Sequence, residues 1–428
     1  MSESGPIHSG AEAADEAIRD VVEVDCCVAG GGPAGVMLSL LLARNGLKVS
    51  LLESHKDFDR DFRGDTIHPS TLDALDQIGL AEGLHQFPHG KLRSLRIHTA
   101  AGSRTLVDFH RLKTKFPYIM MLPQVHLLDY LASAAKQYSG FCLTLGANVQ
   151  RLVEAGDRIV GVRYRGEDNG WHEVRAPLVI GCDGRFSKLR SLAGFECNKT
   201  SPPMDVIWFR LSRRPNDAAD EGDFYIGNGH FVVMLNRQDE WQVGYVIVKG
   251  GYSQLRAEGI EQLQQSLAGM VPWVADRVDE LQDWKQVSVL SVESGLVDRW
   301  YRPGLLLIGD AAHVMSPIGG VGINYAVQDA IETANLLTEP LRRGQPTLDE
   351  LAAVQQRRER PTRIIQAFQR FMQRQIVSNA LEDAKPFELP LPIRLISSLP
   401  WFRDLPARLV AFGPRRVHVD LALVRHGR

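Results

Sequence analysis

The chain has 428 residues, 44% of them apolar and 23% charged, with a formal net charge of −2. That length exceeds one ordinary core and implies two interleaved globular domains, and the near-neutral balance argues against a nucleic-acid partner, which needs a basic surface. The five cysteines, Cys26, Cys27, Cys142, Cys182 and Cys197, are odd in number and show neither CxxC spacing nor a His/Cys cluster. They read as reduced, buried thiols of a cytoplasmic protein, with no metal site expected.

Residues 1–20 are small, acidic and polar, without the basic start and apolar core of an export signal, and read as a flexible tail. Residues 21–53, VVEVDCCVAGGGPAGVMLSLLLARNGLKVSLLE, then run through an apolar stretch, a glycine turn, a helix and a second apolar stretch ending in a carboxylate. This is the pattern of a dinucleotide-binding unit. Gly30 permits the tight turn, Gly32 lets backbone approach a pyrophosphate, and Gly35 allows helix to pack closely on strand. Pro33 and Ala34 open the helix, whose unpaired N–H groups favour phosphate. Glu53, followed by Ser54, is placed to accept hydrogen bonds from ribose hydroxyls.

Helical spacing of Leu72, Leu75 and Ile78 predicts a helix over 70–79, and Val125, Leu128 and Leu131 predict another over 124–138. Over 147–182 the period changes to alternation broken by turn residues, the pattern of a β-meander leading back to the nucleotide-binding sheet. Strand-like runs across 205–248 predict a second sheet, the place for a substrate domain. In DVIWFRL, alternation puts Val206, Trp208 and Arg210 on one face and Ile207, Phe209 and Leu211 on the other. Trp208 beside Arg210 could clamp an aromatic acid, or could equally be core beside an outward arginine. Phe224, His230, Met234 and Tyr245 are further substrate candidates.

A helical stretch over 260–281, a strand over 287–292 and the apolar LLLIG follow. Asp310, at the end of that strand, can accept from a ribityl hydroxyl. Gly319, Gly320 and Gly322 allow backbone to approach a flat ring, and the helix starting near Ile323 points its positive end there. His313 in the same segment reads more readily as structural than as catalytic. A basic helix is expected over 348–375, and the apolar, Pro-rich segment 385–414 reads as an arm across the lobes rather than a membrane-touching surface. No apolar run reaches the roughly 20 residues needed to span a bilayer.

Three segments, 21–53, LVIGCDGRFSKLR at 178–190 and LLLIGDAAHVMSPIGGVGIN at 305–324, occur in an order that resembles the class A flavoprotein monooxygenases, the para-hydroxybenzoate hydroxylase family. The resemblance implies an α/β fold: an FAD-binding Rossmann-like domain, an inserted β-sheet substrate domain and a helical C-terminal segment. The corresponding boundaries are 1–20 for the tail, 21–98, 119–200 and 286–345 for the FAD domain, 99–118 and 201–285 for the substrate domain, and 346–428 for the C-terminal arm. It further implies Arg63 over the FAD pyrophosphate, Gln124 near the ribityl chain and Asp183 in an Asp-Gly motif, although Asp183 could equally cap the following helix. Gly309 and Asp310 would hold the ribityl chain. Pro317, with His313 as a lesser candidate, and Gly320 would lie near the ring, and Gly322, Ile323 and Asn324 would meet its pyrimidine edge.

No protein nucleophile is expected, because in such enzymes the cofactor carries the chemistry. Only one Gly-x-Gly-x-x-Gly unit is present, a count that fits single-domain flavin hydroxylases, and the resemblance implies NAD(P)H as a transient co-substrate. The implied reaction is hydroxylation of an aromatic or polycyclic phenol through a C4a-hydroperoxyflavin. The alternatives are a reductase or dehydrogenase of the same fold, or a non-catalytic flavin-binding protein. Expected partners are a small aromatic molecule and, at most, a second copy of the chain.

Overall fold

The computed structural model describes residues 17–59, 64–217, 220–227, 229–377, 380 and 400–423. Arg63 and much of the apolar segment 385–414 lie outside the described residues.

The first domain is organised by a six-stranded sheet. Its parallel strands lie in the spatial order Phe141–Thr144, Val49–Leu52, Cys26–Ala29, Val179–Gly181 and Leu305–Leu307, with Tyr301–Arg302 antiparallel at the edge. Cys26–Ala29, Val49–Leu52, Val179–Gly181 and Leu305–Leu307 are buried throughout, which is why they read as continuous apolar runs rather than alternating ones. The first of these strands is central, with the second on one side and a much later strand on the other. That reversal opens a crevice beyond the carboxyl ends of Cys26–Ala29 and Val179–Gly181, where open α/β sheets bind ligands. The helix Pro33–Arg44 and the long helix Gly322–Arg342 pack on this sheet with nearly every residue of the former buried.

The meander over 147–182 forms as expected: Asn148–Ala155, Arg158–Arg165 and Trp171–Arg175 pair antiparallel, and the chain then enters Val179–Gly181. The tail boundary is corrected. Ile18–Glu23 is a strand, paired in parallel with Trp171–Arg175, and Arg19 and Asp20 hold it through Asp168 and His172.

The second domain is a seven-stranded sheet in the order Ser288–Ser291, Met204–Ser212, Glu240–Val248, His230–Asn236, Glu221–Gly227, Ser94–Thr99 and Gly102–Asp108. Two domain boundaries shift accordingly, since Ser94–Thr99 and Ser288–Ser291 pair here and not with the nucleotide sheet. One face is closed by the helix Ile260–Met270. Its Leu263 and Leu267 pack on Ile207, Phe209, Leu211, Met234 and Tyr245. The other face looks toward the first domain, and the end of the helix Leu348–Met372 together with the helix Pro400–Phe412 closes over it through Phe368, Met372 and Val410. Of the cysteines, Cys26, Cys27 and Cys182 are buried as expected, with burial raising the Cys27 thiol to about 12. Cys142 is exposed. Among the described residues, no helix is long and apolar enough to cross a membrane.

Candidate active site

The glycine turn occupies the crevice because only glycine fits two of its positions. Gly30 has φ +105°, and a Cβ there would lie 2.4 Å from the carbonyl oxygen of Cys182; at Gly35 it would lie 1.9 Å from the carbonyl oxygen of Gly30. Gly32 differs: its φ of −75° suits any residue and its Cβ direction meets nothing within 4 Å. Packing therefore demands glycine at 30 and 35, whereas at 32 the open approach is the feature that suits a ligand. Gly32 caps the helix Pro33–Arg44 without a side-chain hydrogen bond, so the first N–H groups of the helix face the crevice. Glu53 closes the turn from the next strand. Its Oε2 accepts from Gly31 N at 2.7 Å, and its Oε1 accepts from His55 N at 3.0 Å and Ser54 Oγ at 3.2 Å.

The three sequence segments converge on this point. Gly30 abuts Cys182 and Asp183, and a Cβ on Gly309 would lie 3.3 Å from that of Ala34. Asp183 supports the start of the following helix, whose N-cap is Ser187: it accepts from Ser187 Oγ at 2.5 Å and Leu189 N at 3.0 Å. Burial raises its pKa against those bonds.

Behind the Gly309–Ala311 turn lies a buried charge cluster that sequence reasoning missed. Asp329 Oδ2 accepts from Gly309 N at 2.9 Å and meets His313 Nε2 at 2.6 Å, while its Oδ1 accepts from Arg358 Nε at 2.6 Å. Burial opposes ionisation of Asp329, but the charges of His313 and Arg358 outweigh it and hold the carboxyl at about 2. His313, a near-ring candidate, is 1% exposed, turned into this cluster and packed against Trp300. Its observed contacts are structural. The cluster joins Asp329, midway along one helix, to Arg358 on the next, a pairing that no local spacing marks.

Pro317, Gly320, Gly322, Ile323 and Asn324 form the loop and helix start on the far side of the crevice. Gly319 and Gly320 take positive φ, and the Cβ direction of Gly322 meets nothing within 4 Å. Segment 64–71 packs along this loop. Thr66 Oγ1 donates to the carbonyl of Gly320 at 2.8 Å, Gly64 lies against Ile323, and Ser70 and Thr71 donate to Asn324 Oδ1. Asn324 Nδ2 is buried without a partner among the described residues. His68 stands between the carbonyls of Val410 (2.8 Å) and Gly320 (2.9 Å). Burial lowers its pKa to about 4 although both carbonyls favour the cation. Gln124 opens its helix with its N–H on Asp65 Oδ1 at 3.3 Å. Burial raises the Asp65 pKa, with Arg237, 3.3 Å away, opposing.

On the second sheet, the two faces separate as alternation predicts. Val206 and Trp208 pack with Phe231, Val246 and Ile318 of the Pro317–Gly320 loop, so this is the face turned to the crevice. Phe224 joins it through an edge contact with Phe231 at 5.9 Å. Arg210 is exposed and pairs with Glu240 at 3.4 Å, so the carboxylate that a clamp would need is supplied by the protein. Tyr245 is corrected: it lies on the opposite, helix-covered face, 2% exposed, with its hydroxyl 2.7 Å from both His230 Nδ1 and Ser266 Oγ. Met234 is on that rear face as well. Residue parity along each strand decides this.

The model of the FAD binding domain family matches residues 23–367. The chain belongs to that family and is a class A flavoprotein monooxygenase, an FAD-dependent oxidoreductase. Along nearly its whole length it is similar to a 6-methylpretetramide 4-monooxygenase of Streptomyces rimosus, with 34% identity over 412 residues, 95% of this chain and 97% of that protein. A second relative, the 12-dehydrotetracycline 5-monooxygenase/anhydrotetracycline 6-monooxygenase of Streptomyces rimosus, is 27% identical over 72% of this chain and 61% of its own length. Among solved structures, the fold matches p-nitrophenol 4-monooxygenase of Pseudomonas putida DLL-E4 with a TM-score of 0.72 at 19% identity, covering 91% of this chain and 95% of that one.

Proposed function

We propose that this enzyme uses NAD(P)H and dioxygen to hydroxylate an aromatic phenol of the kind its relatives are named for, 6-methylpretetramide being the first compound to try. The observation that carries the reading is the convergence of the glycine turn, the Gly309–Asp310 turn and the Pro317–Asn324 loop on one crevice that faces an aromatic-lined sheet.

The residues fit FAD. Gly32 and the uncapped helix start suit its pyrophosphate, Glu53 its adenosine ribose, Asp310 and Gln124 its ribityl chain, and Gly320, Gly322, Ile323 and Asn324 its pyrimidine edge, where the unpaired Asn324 amide is a donor in waiting. When bound, FAD supplies the redox and oxygen-transfer chemistry. The chain's own contribution is positional. Asp329 holds the Gly309 turn, Thr66 and His68 hold the Gly320 carbonyl, and the positive end of the helix Gly322–Arg342 favours negative charge at its edge. The closing helices pack on the sheet face through Phe368, Met372 and Val410. A single dinucleotide unit leaves NAD(P)H no separate domain, which supports a visiting rather than resident reductant.

FAD-loaded protein given 6-methylpretetramide, NAD(P)H and isotopically labelled dioxygen should consume both co-substrates and return a product carrying one labelled oxygen. NAD(P)H oxidation under labelled dioxygen that leaves the phenol unlabelled would refute the reading. Asp310→Ala should lose FAD before it loses fold.

A further inference from the structure

The crevice-facing side of the second sheet holds an arrangement that the proposed reaction does not by itself require. Trp208 and Gly244 are cross-strand partners, and a Cβ on Gly244 would lie 2.8 Å and 2.9 Å from Cζ3 and Cη2 of the Trp208 indole. The indole therefore lies across the neighbouring strand, in space that only glycine leaves open. Glycine in a strand interior weakens the strand, so its place there marks a close approach. Trp208 remains partly exposed and packs beside Phe231 and Ile318, the latter within the loop assigned to the flavin.

Two residues before Gly244, on the same face, stands Gln242. It is 5% exposed, and its Oε1 is buried without a partner among the described residues. Its cross-strand neighbours are Arg210, already paired with Glu240, and Leu235. A buried polar atom left unpaired is costly unless something completes it.

We infer that Trp208 and Gln242 form a substrate-selecting subsite: the indole is a shelf for a flat fused-ring phenol, and the Gln242 carboxamide pairs with one of its hydroxyls. This rests on the reading above that the substrate is an aromatic phenol. Fused rings match an indole face that a single ring covers only in part, and aromatic pairs gain beyond simple area burial when they stack offset. The hydroxyl follows from the donor inventory: the unpaired atom is the acceptor Oε1, to which a phenol O–H can donate and a carboxylate cannot. A site built to pair a hydroxyl rejects the analogue that lacks it.

The test is binding to the full-length, FAD-loaded enzyme without NAD(P)H, read from the flavin absorbance spectrum. The probes are 2,6-dihydroxyanthraquinone, whose hydroxyls are free to donate outward, its dimethyl ether and phenol. Wild-type protein should bind the dihydroxy compound at least about tenfold more tightly than phenol. Gly244→Val, which lifts the indole, should weaken that compound about tenfold and phenol less than about threefold; Trp208→Ala should do the same. Gln242→Leu should weaken the dihydroxy compound about fivefold and leave its ether unchanged. FAD affinity within about twofold of wild type shows that a variant is folded; where Gly244→Val fails that check, Gly244→Ala replaces it.

Equal loss for one-ring and three-ring probes, no loss in either shelf variant, or equal loss for the dihydroxy compound and its ether in Gln242→Leu would overturn the inference. Failure of the proposed reaction is separable, because it is read from oxygen uptake and not from binding. This pattern without NAD(P)H-dependent oxygen uptake sinks the reaction and keeps the subsite, and uptake without the pattern does the reverse.

Discussion

The backbone N–H of Gly309 donates to Asp329 Oδ2 at 2.9 Å, so the turn that presents Asp310 is anchored to a carboxylate 20 residues later. The same carboxylate is held by His313 and Arg358, both 1% exposed or less. A turn in the crevice is thereby tied to a fully buried charge cluster, and disturbing one disturbs the other.

Asp329→Asn should therefore cost both stability and FAD affinity. Removing the negative member strands Arg358 in the core, and breaking a buried ion pair typically costs about 3–5 kcal/mol. The amide retains shape but not charge. Chemical denaturation and fluorescence titration of FAD would measure the two effects; a variant unchanged in both would show that the cluster is not an anchor.

The same group sets an acid limit. Its folded pKa is depressed to about 2 from 3.8, so its stabilising contribution is present in full above pH about 4 and is lost as pH falls toward 2. Linkage puts the loss on the order of 2 kcal/mol. His68 acts at higher pH with the same slope. Its folded pKa of about 4 lies below the ordinary 6.5, so below pH 6.5 the unfolded chain takes up a proton that the folded one refuses, and stability falls until about pH 4. Denaturation between pH 7 and 3 should show a reduced slope above pH 4 in His68→Gln and a reduced slope below it in Asp329→Asn.

Gly32 and Gly35 should part company. Gly35→Ala places a Cβ 1.9 Å from a carbonyl oxygen, whereas Gly32→Ala places one in open space at an ordinary φ. The first should damage the apoprotein. The second should leave apoprotein melting unchanged and weaken FAD by about tenfold or more, since the pyrophosphate needs that approach. Similar melting loss in both variants would contradict the assignment of Gly32 to ligand rather than packing.

Tyr245→Phe should cost about 1 kcal/mol of stability, because it removes the contacts to His230 and Ser266 behind the sheet. Turnover and substrate affinity should change by less than about twofold. A large rise in KM without a change in melting would return Tyr245 to the substrate face.

Much of this protein is decided locally, and that part is legible in its sequence. The tight turn at Gly30, the helix from Pro33, the buried parallel strands and the hairpins of the meander each follow from a steric or hydrophobic requirement of neighbouring residues. The nucleotide-binding motif, and with it the flavin class, falls in that category, as does the alternation that sends Trp208 and Phe209 to opposite faces. What separates Tyr245 from Trp208 is strand register. What pairs Asp329 with Gly309, lays an indole across Gly244 and leaves Gln242 Oε1 without a partner among the described residues is the meeting of distant segments. Long-range pairing and packing decide which side chains share a buried space, and no spacing along one strand or helix carries that information.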